Sequence, residues 1–177
     1  LKSVAPPQIT MAMIFRAGQN TDVLYEIGSI KSYDVLFAIA RDDFDPSWPE
    51  ARQALRKIAP QRFDSVAEAM LDIDSQDLDR RNEAVRMLME ATPDERRRDS
   101  VSQALMDLTK QKKIDEIELE LGAALAVWRT SGVTKYFTDL LDNERSDRQQ
   151  VRIGLCYLGR LRDQSYLSRI SRWASKE

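Results

Sequence analysis

The sequence contains no histidine. That absence removes the commonest general base, the commonest zinc ligand and every His-dependent catalytic triad. Cysteine occurs once, as Cys156, so neither an internal disulfide nor a cysteine metal cluster can form within the chain. A reducing, cytoplasmic compartment fits that usage. Glycine and proline number six each in 177 residues, too few for the many tight turns of an all-β fold. No apolar run approaches the roughly 20 residues of a membrane span; the best stretch is Leu121 to Trp128. The chain begins at Leu1 rather than Met and shows no signal peptide, which points to a domain excised from a longer protein.

What is present favours helix. Hydrophobic residues make up 42% and charged residues 32%, the proportions of a folded, soluble chain rather than a disordered one. Ala, Leu, Arg, Glu and Met are abundant. The net charge of −2 is unevenly spread. Residues 145–177 carry eight basic and three acidic side chains, a net +5, which leaves −7 for residues 1–144.

A repeat organises the chain. Residues 64–72 read DSVAEAMLD and residues 99–107 read DSVSQALMD, identical at five of nine positions and alike at the others. In the same phase lie GVTKYFTDLLD at Val133, SYLSRISRWA at Leu167 and YDVLFAIARDD at Val35. The anchors Val35, Val66, Val101, Val133 and Leu167 are spaced by 31, 35, 32 and 34 residues. Within each copy the apolar residues fall at i, i+3, i+4 and i+7, as in Val66, Ala69, Met70 and Ile73, which is the stripe of a helix with one buried face. Ser65 with Glu68 and Ser100 with Gln103 read as capping boxes that start these helices, and Ser47 with Glu50 and Thr92 with Glu95 read likewise.

A second set of helices is expected between the first: PEARQALRKIA, DRRNEAVRMLMEA, IELELGAALAVW and RQQVRIGLCYLGRL. In these, Arg52, Arg81, Glu120 and Arg152 sit at matching points. Helix, turn, helix at a period of ~33 residues predicts an all-α fold built as a solenoid.

The run from Asp147 to Gly159, an aspartate, a basic residue after valine, and small and apolar residues closing on Leu-Gly, resembles the first helix of a HEAT repeat. It is most similar to the short HEAT type of the phycobilin lyases. The likeness covers residues 31–174; the third unit departs from it, with Glu120 in place of the basic residue. The Trp, Gly-Tyr and Pro positions of a tetratricopeptide repeat are absent. The resemblance implies a right-handed α-α superhelix of about four to five helix-turn-helix repeats. Residues 31–177 would form that array. Residues 1–30, with QITMAMIFRAG and TDVLYEIGSI, would be a degenerate N-terminal cap or the end of a preceding repeat.

No cluster offers convincing chemistry. Asp72, Asp74, Asp77 and Asp79 with Glu83 echo a calcium loop, but Asp77 stands where its sharp turn demands glycine. Acids that cap the next helix account for this turn, and for Asp42, Asp43 and Asp45. The run Glu95-Arg96-Arg97-Arg98-Asp99 reads as a solvated face, and Lys110, Lys112 and Lys113 suit a helix end. Cys156 falls on an apolar stripe with Leu155 and Leu158, as a small core residue. Trp128 reads as core, Trp48 as a turn anchor, and Trp173 as a residue near the chain end. No catalytic residue, metal or cofactor is expected.

Function is therefore sought on a surface. In HEAT-like solenoids the second helix of each pair lines the concave face, and the resemblance carries that expectation here. Two positions after each anchor come Phe37, Glu68, Gln103, Lys135 and Arg169; six positions after come Arg41, Asp72, Asp107, Asp139 and Trp173. The two columns lie four residues apart and share one helix face. This face, acidic in the middle and basic towards the C-terminus, is expected to bind a protein or peptide partner, with the isolated module a monomer. The alternative is a nucleic-acid-binding module using the basic C-terminal end, since some HEAT-like proteins cradle a duplex and some of those are DNA glycosylases. The acidic middle opposes it by phosphate repulsion. Chemistry on a bilin-bearing partner rests on the family likeness alone.

Overall fold

A computed structural model of the chain describes residues 30–111, 117–143 and 146–175. The expected N-terminal cap, apart from Ile30, lies outside these residues, as do Lys112, Lys113, Arg145 and Lys176. Among the described residues there are nine α-helices, one 3-10 turn and no strand. The chain divides into two compact units, Leu1–Asp64 and Ser65–Glu177.

The first unit holds α1 (Ile30–Arg41) and α2 (Trp48–Ile58), packed on each other. Their apolar stripes supply the buried residues Leu36, Ile39 and Ala40 on α1, and Ala51, Ala54 and Leu55 on α2. The acidic turn between them caps its own backbone. Asp42 Oδ1 accepts the Phe44 N–H at 2.9 Å, and Asp45 Oδ1 accepts the Ser47 N–H at 2.8 Å. Pro49 stands in the first turn of α2 as expected, but the Ser47 side chain makes no capping bond. Arg52 is buried and donates to the Ala40 carbonyl at 3.3 Å from Nε and 3.1 Å from Nη2, satisfying an acceptor that the end of α1 leaves open.

The second unit contains α3 (Ser65–Asp72), α4 (Leu78–Glu90), α5 (Glu95–Leu108), α6 (Glu118–Val127), α7 (Ser131–Asp142), α8 (Arg148–Leu161), the 3-10 turn Gln164–Tyr166 and α9 (Leu167–Ala174). Helix α4 packs on α6 and α6 on α8. Against this row α3 lies on α4, α5 on α6, and α7 on α8, while α9 packs on both α7 and α8. Buried side chains from α3 to α8 form one core cluster that includes Val66, Val85, Leu88, Leu105, Leu121, Phe137 and Tyr157. Each large apolar side chain buried this way stabilises by about 1.5–3 kcal/mol. Trp128 is fully buried as expected, and its Nε1–H donates to the Leu88 carbonyl at 2.8 Å.

Small residues let α6 and α8 approach closely. A Cβ on Gly122 would stand 2.7 Å from the Ile153 carbonyl oxygen and 2.8 Å from Cys156 Cβ. At the end of α5, Gln111 ties two further helices. Its side-chain Oε1 accepts from Arg81 Nη1 at 2.9 Å, and its backbone carbonyl accepts from Gln149 Nε2 at 3.0 Å.

Three local expectations are corrected. DSVSQALMD does not begin a helix: α5 starts at Glu95, and Asp94 rather than Thr92 or Ser100 caps it, accepting the Arg96 N–H at 3.0 Å. Ser100 lies in mid-helix, where its hydroxyl donates back to the Arg97 carbonyl. In the fifth copy the anchor Leu167 is 56% exposed, whereas Val66, Val101 and Val133 are buried. Asp77 caps α4 as the acidic turn predicts, and Asp94 and Asp147 cap α5 and α8 in the same way, which the sequence reading did not assign.

Candidate partner-binding face

The ten candidate residues do not share one environment. In the first unit Phe37 is half-buried and Arg41 exposed; both line a shallow depression of about 420 Å³ with Asp34 and Ala38. The Phe37 ring stacks on Tyr33 at 5.8 Å. In the second unit the α3 pair is the clear correction: Glu68 is 8% exposed and Asp72 6%, so neither presents an open acidic face. Arg80, itself buried, donates to Asp72 Oδ1 from Nε at 3.1 Å and from Nη2 at 2.7 Å. The carboxylate at the head of the calcium-like spacing is thus held by a guanidinium.

Gln103 and Asp107 on α5 and Lys135 and Asp139 on α7 are exposed as expected. Each column pair is joined along its own helix. Gln103 Nε2 donates to both Asp107 oxygens at 3.1 Å, and Lys110 Nζ meets Asp107 Oδ1 at 2.6 Å. The Lys110 bond, then the Gln103 bond, holds the Asp107 carboxyl below its usual range. Lys135 pairs with Asp139 at 2.5 Å. On α9, Arg169 Nε clasps Asp142 at 3.0 and 3.1 Å, and Arg172 reaches both Asp142 and the Leu141 carbonyl. Trp173 is half-buried and donates to the same carbonyl at 2.9 Å. The C-terminal arginines that gave the chain its basic end are therefore partly neutralised: Arg152 also pairs with Glu118, at 3.2 Å.

Between α5 and α7 runs a groove of about 460 Å³ that the two columns did not reveal. Its walls are Ser102, Gln103, Met106 and Lys110 on one side and Gly132, Val133 and Tyr136 on the other. Ser102 is 2% exposed, and its hydroxyl has no hydrogen-bond partner among the described residues. A buried hydroxyl left so costs about 1–3 kcal/mol. Gly132 faces open space, with nothing nearer an added Cβ than Thr130 Oγ1 at 3.9 Å. Tyr136 donates to Gln150 Oε1 at 3.1 Å, which fixes its ring over the groove wall. The sequence held one signal of this groove, a serine at a buried position between Val101 and Leu105.

Burial raises the Cys156 thiol above its ordinary pKa, and its Sγ–H donates to the Leu119 carbonyl at 3.1 Å. In the arginine run, Arg97 pairs with Asp94 at 3.2 Å and Arg98 with Glu95 at 2.5 Å. Among the described residues no group of three or more Cys, Asp or Glu side chains could hold a metal ion, and no helix is long and apolar enough to cross a membrane. Comparisons with protein families, with curated proteins and with solved structures find no match.

Proposed function

We propose that this chain is a HEAT-like helical solenoid acting as a non-enzymatic protein-interaction scaffold, with the α5–α7 groove as the centre of its binding face. The observation that carries this reading is the groove itself. It joins apolar contact at Met106, Val133 and Tyr136 to the exposed polar side chains of Gln103 and Lys110. A peptide or protein segment would lie between two second helices and gain hydrophobic contact there. The row α4–α6–α8, each helix carrying another against it, supports the solenoid reading. Binding is passive: the packed core holds the groove walls and no bond is made or broken. The nucleic-acid alternative loses support from the pairing of Arg152, Arg169 and Arg172 with acids.

Gly132 makes a clean test, because it lines the groove and a Cβ added there meets nothing nearer than Thr130 Oγ1 at 3.9 Å. Affinity capture with wild type, Gly132→Ala and Gly132→Gln, with bound proteins identified by mass spectrometry, separates the outcomes. Partners kept by alanine and lost by glutamine support the groove. Retention of every partner by Gly132→Gln would place binding elsewhere. Tight, steeply salt-dependent binding of duplex DNA would replace the scaffold with the alternative.

A further inference from the structure

We draw no further inference here: the strongest candidate, the polar pocket of about 340 Å³ at the start of α7 lined by Arg129, Ser131, Thr134, Asp163 and Tyr166, rests on a helix N-terminus with no buried, unpartnered side chain aimed into it, and the Asp163 carboxylate opposes the anion that such an end would attract.

Discussion

A single hydroxyl tests whether the α5–α7 groove is kept at a cost to stability. Ser102 is buried without a hydrogen-bond partner among the described residues, so Ser102→Ala removes a desolvated polar atom and leaves no unmatched acceptor. The substitution is expected to stabilise the protein by about 1 kcal/mol, read as a raised urea midpoint at unchanged slope. Destabilisation would show that the hydroxyl is satisfied within the fold. Asp72 is the opposite case. Both the periodicity and the calcium-like spacing treated it as a surface acid, and the structure buries it against Arg80. Helical phase tells which residues share a stripe, but not that a neighbouring helix will deliver a guanidinium onto it. Asp72→Asn, which leaves Arg80 facing a neutral amide, is expected to cost about 3 kcal/mol in the same denaturation experiment.

Helix packing depends on where side chains are missing. Gly122 brings α6 against the backbone of α8, so that an alanine methyl there would stand 2.7 Å from the Ile153 oxygen. Alanine would raise intrinsic helix propensity by about 1 kcal/mol, yet overpacking against a backbone atom costs about 1–3 kcal/mol. Gly122→Ala is therefore expected to lower the thermal midpoint, whereas Gly132→Ala, in open space, is expected to raise it. At the other end of the unit α9 is fastened to α7 by the Asp142 clasp. The Arg169 hydrogen bond holds the Asp142 carboxyl below its ordinary value of 3.8. A depressed folded-state pKa contributes stability that is present above the unfolded-state value and lost as pH falls through the lower folded one. Acid titration below that ordinary value should thus loosen α9 and shift the Trp173 indole N–H resonance in NMR spectra; a resonance unmoved through this range would mean that the clasp does not hold the helix.

Most helix positions were legible because apolar periodicity marks them directly; RQQVRIGLCYLGRL corresponds to α8 end for end. The misplaced start of α5 has a physical cause. Ser-x-x-Gln is a capping signature in isolation, but Asp94 offers an earlier cap and ERRRD continues the helix with i,i+3 ion pairs. The groove was less legible, because a gap between two helices depends on what their neighbours leave uncovered rather than on either stripe alone.

Across the whole chain, two compact units share one sequence rhythm. The large core cluster, from Val66 to Leu158, lies wholly within residues 65–177. That fragment is expected to melt in one cooperative transition by circular dichroism. A broad, non-cooperative loss of helix would show that residues 1–64 are required for its order. The three tryptophans also give the protein a built-in optical readout. Trp48 belongs to the first unit, while Trp128 and Trp173 belong to the second. The enclosed indole of Trp128 should emit at shorter wavelength than the partly wet rings of Trp48 and Trp173. Selective quenching by a water-borne solute would then report on α2 and α9 while the heart of the second unit stays dark to the quencher, without any attached dye.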